Sequence, residues 1–484
     1  MSKFNQTNTM KTTNKCGHVA YDMKDVDKLV TQVLTTFFGE QKFYGDNSND
    51  LVKNAENIAK TNPRFVSNLA RVARKEYHLR SVSHVLTCIV AHEVESKPYI
   101  KETVYDVVER ADDITEILSC YLSMYGKPIP NGLKKALGTA LTKFNEFQIS
   151  KYNGGSKSIK FRDVLRITHI KPKNNREQEL FNKIINDTLP IATRWETELS
   201  ANGNNKETWE SLIENNQLGY MAMLRNLRNI LNAQPNNIDK VFSKLEDKEE
   251  VLKSKQLPFR YFSAYREVMG LSNCSSKVLD VLENAIEQSV ENLPKLKGKT
   301  VIAIDVSGSM GSVISLKSTV RCCDIATLLG VLASRMCEDY IVYTFDNYLN
   351  TKTFSSRSGI IDTTLKTSCH GGGTDIALPL EKMINDKIQA DRLIILSDNE
   401  INSYYRGYKE TCQSLADTYR KRVNPNLWVH AVDLQGYGTQ QFIGGKTNIV
   451  AGWSERLLEF MNLAEQGIDT QVDYVANYHI RDLD

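Results

Sequence analysis

The spacing of hydrophobic residues changes near residue 293, and this change constrains the fold more than any other feature of the chain. From about residue 22 to residue 292, apolar residues recur every three or four positions, which is the period of an α-helix. After residue 298, short apolar runs alternate with helical stretches. Four of these runs are apolar on both faces, as strands of a covered parallel sheet must be. They are Thr300–Val306, Tyr340–Phe345, Arg392–Ser397 and Leu427–Leu434.

This change predicts three segments: a disordered lead at 1–21, a helical module at 22–292 and a doubly wound α/β domain at 298–484. Within the module, helices such as Ile114–Met124 and Leu133–Phe147 are separated by short loops rich in Pro, Gly and Asn. Many helices with short loops favour stacked pairs, as in a HEAT-like solenoid. No clean internal repeat is visible, so this prediction depends on helix number and loop length.

Composition excludes several classes of protein. With 41% apolar and 25% charged residues and no apolar run of membrane-spanning length, the chain is predicted to have no membrane span. The N-terminus lacks the apolar core of a secretion signal, so we expect a cytoplasmic protein. The nine cysteines include no Cys-x-x-Cys pair, and we expect reduced, mostly buried thiols.

Oxygen-bearing side chains follow the predicted strands of the α/β domain. Asp305, Ser307 and Ser309 follow the first strand, and Gly308 permits a tight path between them. Thr374 is predicted at the start of helix Ile376–Ile384, and Asp398 follows another buried strand. Such a set suits a hard divalent cation, most of all Mg²⁺. The alternative is that these side chains only cap helices and fix loops.

The order of these motifs resembles the metal-ion-dependent adhesion site of von Willebrand A domains. The resemblance implies that Ser307, Ser309 and Thr374 are direct ligands, while Asp305 and Asp398 bind directly or through water. An open coordination position would accept a carboxylate from a protein partner. The resemblance therefore implies a binding site rather than a catalytic one.

The segment from Leu133 to Arg176 carries a strong excess of positive charge. Only Glu146 and Asp163 oppose its eleven basic residues, and such a field favours a polyanion. Aromatic rings and a histidine between them could stack on unpaired bases, or the rings could simply belong to the core. The basic residues are Lys134, Lys135, Lys143, Lys151, Lys157, Lys160, Arg162, Arg166, Lys171, Lys173 and Arg176; the rings are Phe144, Phe147, Tyr152, Phe161 and His169.

Four stretches of the helical module resemble the Ro ribonucleoprotein autoantigens, which combine a TROVE helical module with a von Willebrand A domain. They are Phe37–Tyr44, Asn131–Leu137, Asp163–Pro172 and Gly219–Leu227. The first departs from the family's usual Gly-Ser-Glu-Gly-Gly-Thr-Tyr form. The resemblance implies a ring of HEAT-like repeats closed by the A domain. It also implies binding of small structured Y-class RNA on a basic outer face, and passage of single-stranded ends of misfolded RNA through the central hole.

The RNA-contacting positions of that family match Lys151 and His169. Arg166 and Lys171 flank the histidine, and Lys134 and Lys135 lie in a matching helix. The leading hypothesis is a monomeric, non-enzymatic RNA-binding protein that acts in RNA quality control or as an adaptor for an exoribonuclease. The alternative is an interaction scaffold whose metal site grips an acidic protein partner. A metal-dependent hydrolase is disfavoured because neither a nucleophile with a paired base nor a phosphate-binding glycine loop is present.

Overall fold

The computed structural model describes most of the 484-residue chain. The described residues are 11–35, 48–153, 158–190, 194–290, 295–313, 319–355, 357–367, 369, 371–402, 411–452, 456–467 and 470–478. The chain divides into two compact units. We name the first the helical unit; it contains residues 47–194 with 36–38 and 472–484. We name the second the sheet unit; it contains residues 195–471 with 1–35 and 39–46.

Residues near the N-terminus form regular structure in the sheet unit. Strands β1 (Lys11–Thr13) and β2 (Val19–Asp22) pair antiparallel, and helix α1 (Asp25–Thr35) follows. The buried side chain of Asn14 accepts hydrogen bonds from the backbone N–H groups of Cys16 and His18, which fixes the turn between the strands. The predicted disordered lead is therefore wrong for residues 11–21, because side-chain hydrogen bonds order this turn.

The helical unit is built from amphipathic helices joined by short connections. Asn62 caps α3 by accepting a hydrogen bond from the Phe65 N–H, and Pro63 occupies the first turn, where it needs no hydrogen bond. Apolar faces including Leu69, Leu86 and Ile117 form the core. The helices are α2 (Ser48–Thr61), α3 (Pro63–Lys75), α4 (Ser81–His92), α5 (Ile100–Val107), α6 (Ala111–Tyr125), α7 (Asn131–Leu141), α8 (Glu146–Ser150), α9 (Phe161–Thr168) and α10 (Asn175–Ile185).

A buried charge network joins α3, α4 and α6. The Asp113 carboxylate accepts hydrogen bonds from Arg74 (3.0 Å) and Arg80 (2.6 Å) and lies 3.1 Å from His84. Burial alone would raise the pKa of Asp113, but the hydrogen bond from His84 and the charges of both arginines hold it well below its usual range. The Asp113 carboxylate therefore stays ionised at neutral pH, and its contacts fix how these three helices pack.

Seven further helices belong to the sheet unit. Trp209 is fully buried, and the Tyr220 hydroxyl donates a 2.7 Å hydrogen bond to the Leu245 carbonyl. The seven are α11 (Trp195–Asn202), α12 (Lys206–Glu214), α13 (Tyr220–Ala233), α14 (Ile238–Leu245), α15 (Lys248–Ser254), α16 (Pro258–Met269) and α17 (Ser276–Ser289). Short connections between many helices agree with the predicted helical module, while the closed ring stays a prediction.

A six-stranded sheet in the order β5-β4-β3-β6-β7-β9 follows, parallel except for the edge strand β5. Val301 and Ala303 face a core formed with α20 and α21, while Ile304 packs on the other side against α18. The predicted doubly wound α/β domain is confirmed. The elements of this domain are β3 (Leu296–Asp305), α18 (Cys322–Met336), β4 (Cys337–Phe345), β5 (Leu349–Lys352), α19 (Ile360–Leu365), α20 (Leu378–Asn385), β6 (Arg392–Ser397), α21 (Cys412–Arg422), β7 (Trp428–Asp433), β9 (Thr447–Ala451) and α22 (Arg456–Glu465). Strand β8 (Thr439–Gln440) pairs with β2 in a three-stranded sheet, and α23 (Gln471–Ala476) belongs, apart from its first residue, to the helical unit.

Two helices start later than their apolar residues predict. Helix α18 begins at Cys322 rather than Leu316, because the Arg321 backbone N–H donates a 2.8 Å hydrogen bond to Asp324, which caps the helix there. Helix α20 begins at Leu378 rather than Ile376. The prediction that Thr374 is a helix N-terminal residue is wrong: its backbone forms an isolated β-bridge with Asn402.

The cysteines differ from the expected set of reduced, mostly buried thiols. Cys323, in the first turn of α18, forms a disulfide with Cys369. Of the seven cysteines outside this disulfide, three are buried and four are half-buried. Within the described ranges, no helix combines the length and the apolar character needed to cross a membrane.

Candidate metal centre and basic surface

Three loops meet at the carboxyl edge of the six-stranded sheet. The loop after β3 is tied to residues 371–372 by hydrogen bonds from Gly308 N to Gly372 O (3.1 Å) and from Gly371 N to Val306 O (3.2 Å). Thr374 exchanges two 2.9 Å backbone hydrogen bonds with Asn402, on the loop after β6. Parallel strands bring their carboxyl ends to one edge, and these bonds lock the loops together. Of the five predicted metal ligands, Asp305 is the last residue of β3 and the other four lie on these three loops.

Four of the five ligand side chains form a connected, buried set of oxygens, namely those of Asp305, Ser307, Ser309 and Asp398, while Thr374 is buried on the neighbouring loop. The hydroxyl oxygens of Ser307 and Ser309 lie 3.3 Å apart. One carboxylate oxygen of Asp305 accepts a hydrogen bond from the Ser307 N–H (2.9 Å), and the other accepts one from the Ser397 hydroxyl (2.6 Å). Asp305 is fully buried and Asp398 is 1% exposed. The side chains are therefore held in fixed positions and shielded from water.

This edge carries more negative charge than its surroundings stabilise. Burial raises the pKa of Asp305 to about 6, although hydrogen bonds from Ser307 and Ser397 oppose the rise. Burial, together with the charge of Asp305, raises the pKa of Asp398 well above its ordinary value. One oxygen of Asp398, Oδ2, is buried without a hydrogen-bond partner among the described residues. A divalent cation would satisfy that oxygen and offset the repulsion, so the residues present fit a hard metal ion with oxygen ligands.

Three polar residues at this edge were not predicted from the sequence. Asp346 follows β4 as Asp305 and Asp398 follow their strands; its charge helps to raise the pKa of Asp305. Ser397 fixes the Asp305 carboxylate. Asn399 has a φ of 58° and is buried, and both polar atoms of its side chain lack partners in the described part of the chain. An aspartate directly after a buried strand was the sequence signal that could have identified Asp346.

The loop after β6 is also held by the N-terminal strands. The Asn14 side chain donates a 2.7 Å hydrogen bond to the Ile401 carbonyl, and the Lys15 N–H donates a 2.9 Å bond to the Glu400 carboxylate. The Thr439 hydroxyl donates to the other oxygen of Glu400 at 2.8 Å. Because this loop supplies Asp398, the hairpin near the N-terminus helps to position a candidate ligand.

The predicted RNA-contacting residues lie on α7, α8 and α9 of the helical unit. A Cβ atom on Gly138 would lie only 3.1 Å from Ile170 Cβ and 3.3 Å from Thr168 Cβ, so α7 packs closely on both neighbours of His169. Lys134 lies one helical turn before Gly138, on the same face of α7. Lys135, Arg166, His169 and Lys171 are exposed, while Lys134 and Lys151 are half-buried.

The two acidic residues of the basic tract are engaged elsewhere. Glu146 accepts a 2.8 Å hydrogen bond from Lys183, and Asp163 caps α9 by accepting a 2.9 Å bond from the Lys160 N–H. Within the described ranges, none of the six predicted RNA-contacting side chains pairs with a carboxylate; the six are Lys134, Lys135, Lys151, Arg166, His169 and Lys171. The positive charge of the five lysine and arginine side chains is therefore left uncompensated, and those of Lys135, Arg166 and Lys171 are exposed.

The aromatic residues of the tract divide between core and surface. Phe144 and Phe161 are buried, so for these two rings the alternative prediction of core packing is confirmed. They cannot stack on bases. Tyr152 lies beneath two cations, with Arg110 at 4.8 Å and Lys151 at 5.4 Å from its ring centre. Phe147 is 57% exposed. Phe147 and the exposed His169 are therefore the rings available to unpaired bases.

Two other basic residues of the tract, Lys143 and Lys157, are not included in this surface. Lys143 donates 2.6 Å hydrogen bonds to the carbonyls of Tyr105 and Val108, so it joins α5 to the end of α7. Burial, reinforced by the charge of Lys75, lowers its pKa. Lys157 and the whole Phe37–Tyr44 stretch lie outside the described residues. The six residues above form the candidate basic surface.

Comparison with known proteins covers both parts of the chain. The TROVE domain model matches residues 9–189 and 187–307, and the Ro60 vWA domain model matches residues 299–433. Telomerase protein component 1 of Rattus norvegicus is 22% identical over 293 residues, which are 43% of this chain and 11% of that protein. The RNA-binding protein RO60 of Caenorhabditis elegans is 24% identical over 251 residues, which are 48% of this chain and 37% of that protein.

The fold as a whole has a solved counterpart. The crystal structure of the Deinococcus radiodurans RO (RSR) protein superposes with a TM-score of 0.64 and 14% sequence identity. The match covers 92% of this chain and all of that one. At this identity the likeness establishes the fold alone. With the TROVE model matching more than half of its residues and a Ro60-type A domain following, the chain belongs to the TROVE family.

Proposed function

We propose that this protein binds small structured noncoding RNA through the basic surface formed by α7, α8 and α9. The observation that carries the proposal is the set of five lysine and arginine side chains together with His169, none of which has a carboxylate partner among the described residues. Membership of a family that includes a protein named RNA-binding protein RO60 supports it. Lysine and arginine contacts to phosphates would supply affinity, since each phosphate neutralised releases condensed counterions.

The surface offers both charge and rings. Arg166 and Lys171 flank His169 in sequence, and Lys151 follows α8, which also carries the exposed Phe147. Phosphate contacts position a structured RNA, while rings stack on bases that a loop leaves unpaired. A Y-like RNA with paired stems and open loops suits this combination. We extend the proposal to single-stranded ends of misfolded RNA and to a cytoplasmic, monomeric protein that serves RNA quality control or delivers RNA to an exoribonuclease.

Removing the two central contacts tests the RNA proposal. The double variant Lys151→Ala and His169→Ala should weaken binding of a stem-loop RNA by about tenfold or more, because charged contacts are worth roughly 1.5 to 3 kcal/mol each. Both side chains are accessible, so the variant should keep its melting temperature. Binding is measured by filter retention or fluorescence anisotropy at fixed salt.

The matched control is Lys60→Ala with Lys101→Ala, which removes two exposed positive charges from other helices of the same unit. This control should bind the stem-loop as the unchanged protein does. An equal loss in both double variants would mean that net charge alone drives binding. Unchanged affinity in the Lys151/His169 variant would remove the proposal in this form.

The carboxyl edge of the sheet supports a second role, binding of one divalent cation, most suitably Mg²⁺. Ser307, Ser309 and Thr374 would bind it directly, with Asp305 and Asp398 direct or through water. The partnerless oxygen of Asp398 is the observation in its favour. A bound ion would supply an open coordination position for a carboxylate of an acidic protein. Through this contact the protein would serve as an interaction scaffold in addition to binding RNA. The proposal contains no catalytic step.

Metal binding predicts a stability change that is specific to divalent ions. Adding Mg²⁺ after chelation should raise the melting temperature of the unchanged protein, because ligands that bind only the folded state stabilise it. Asp398→Asn should abolish this increase while RNA affinity stays the same. The same exchange at Asp417, which is exposed on α21, should leave the increase intact. Loss of RNA binding together with the metal response would argue against separate sites.

A further inference from the structure

A groove of about 560 Å³ between α13 and α16 carries three arginines. Polar and apolar side chains both line it. The apolar lining is Met221, Leu224, Leu227, Ala264 and Val268; the polar lining is Arg225, Arg228, Asn229, Gln256, Arg260, Ser263 and Glu267. Apolar surface combined with polar groups that fix orientation is found in small-ligand sites.

The charges of this groove are not balanced. Arg228 pairs with Glu267 at 2.9 Å, which uses the one carboxylate in the lining. Arg225 and Arg260 have no carboxylate partner among the described residues, and each repels the other. Burial within the groove, together with the charge of Arg225, lowers the pKa of Arg260. Both side chains are exposed, so an anion bound in the groove would reach them and offset their repulsion.

A neighbouring aromatic ring orients one of these exposed arginines. The Arg260 guanidinium lies 4.8 Å from the centre of the Phe259 ring, which holds it by a cation–π contact. A guanidinium stacked in this way still has N–H donors at its edge, in the fork that fits a phosphate oxygen pair. Met221 is 51% exposed at the groove and offers a soft apolar surface to a base.

We infer that the groove between α13 and α16 binds the phosphate of a nucleotide, with Arg225 and Arg260 as its donors and Met221 against the base. Its volume suits a single nucleotide rather than a folded RNA. The nucleotide comes either from an RNA strand or from a free mononucleotide. The inference rests on the proposed RNA-binding function for the choice of a nucleotide. It is otherwise independent, because the groove lies in the sheet unit and the basic surface in the helical unit.

Binding of three probes tests the inference: inorganic phosphate, AMP and a short oligouridylate without secondary structure. Arg225→Gln with Arg260→Gln should weaken AMP by about tenfold or more, since two charge-assisted contacts are lost. Phosphate should compete with AMP on the unchanged protein. The matched control is Lys421→Gln with Arg422→Gln, two exposed positive charges at the end of α21 that should leave every probe unaffected.

A second variant addresses folding. Met221→Glu places a negative charge at an exposed position of the groove, so it should fold normally and still weaken AMP. Weakening of both AMP and the oligouridylate would identify an RNA strand as a ligand; weakening of AMP alone would identify a free nucleotide. The inference is overturned when AMP fails to bind, when phosphate fails to compete with it, or when the groove variants bind AMP normally. If stem-loop RNA still binds in those cases and depends on Lys151 and His169, the proposed function stands without this groove.

Discussion

Glu465 joins two strands of the sheet through charged contacts at the end of α22. Its carboxylate accepts hydrogen bonds of 2.6 and 2.7 Å from Arg392 on β6 and lies 2.9 Å from a ring nitrogen of His430 on β7. Burial raises the pKa of Glu465, but the hydrogen bonds and charges of Arg392 and His430 outweigh it and lower the pKa to about 2. The ionised carboxylate of Glu465 therefore connects α22 to β6 and β7, although Glu465 is distant from both strands in sequence.

The Glu465 contact predicts a specific dependence of stability on pH. Because the folded pKa of about 2 lies below the ordinary value of 4.5, the contribution is present above pH 4.5 and is lost as pH falls towards 2. It amounts to about 3 kcal/mol at neutral pH. Urea denaturation across this range should show a smaller loss on acidification in Glu465→Gln, which should also be less stable at pH 7.

The control for this prediction is Glu207→Gln, at an exposed glutamate on α12, which should keep the acid dependence of the unchanged protein. The prediction is wrong if Glu465→Gln loses stability on acidification as steeply as the unchanged protein does.

Single residues show what sequence patterns can and cannot reveal. Asp305, Ser307 and Ser309 were predicted because the pattern is local and follows a strand of recognisable composition. The contact of Glu465 with Arg392 spans 73 positions, and no periodicity signals it. The sequence did not decide whether Phe144 and Phe161 lie at the surface or in the core. A ring between lysines gives the same sequence pattern whether its helix turns that ring towards solvent or towards the core.

A disulfide connects the start of α18 to the segment before the glycines of the candidate metal site. Cys323 and Cys369 have Cα atoms 6.3 Å apart and are separated by 46 positions. Thr374 lies five residues after Cys369. Closing this loop restricts the unfolded chain, and it anchors the segment that leads to a candidate ligand.

Removing the disulfide should lower the free energy of unfolding. Cys323→Ser with Cys369→Ser, or reduction of the unchanged protein, should cost up to about 4 kcal/mol for a loop of this length. The measurement is chemical denaturation with and without reductant. Cys274→Ser, at a free half-buried cysteine, should have little effect. Equal stability in the reduced and oxidised forms would show that this pair contributes nothing.

Helices and strands were predicted well where burial alone defines them. The apolar run Arg392–Ser397 coincides with β6, because a central strand is apolar along its whole length. The predicted helix Leu133–Phe147 is divided into α7 and α8, since the Asn145 side chain caps a new helix by accepting a hydrogen bond from the Gln148 N–H. Such a helix cap depends on backbone geometry, so the spacing of hydrophobic residues does not predict where one helix ends and the next begins.

The boundary between compact units in the structure differs from the boundary that the spacing of hydrophobic residues indicates. The period changes near residue 293, but the helices from Trp195 onward form one compact unit with the sheet. Glu283 on α17 accepts a 2.9 Å hydrogen bond from the Ile361 N–H, and Arg266 on α16 pairs with Asp324 on α18. The sequence predicted helices before residue 293 and an α/β domain after it. The side-chain contacts of Glu283 and Arg266 show which of these helices pack against the α/β domain.

Charge also has to be considered by region. A net charge of +3 on 484 residues gives no reason to expect a polyanion as partner. The tract from Leu133 to Arg176 carries eleven basic and two acidic residues, and the structure engages both acids away from the exposed lysines. Local excess of charge, rather than the total, is what supports RNA binding.

Ultraviolet crosslinking to a stem-loop RNA, followed by mass spectrometry of the crosslinked peptides, tests the central claim most directly. We expect nucleotide adducts within residues 144–171, on or beside Phe147, Tyr152 and His169. Adducts in this segment should decrease when the salt concentration is raised, because phosphate contacts weaken with salt. Crosslinks confined to other parts of the chain, with residues 144–171 unmodified, would contradict the assignment of RNA binding to this surface.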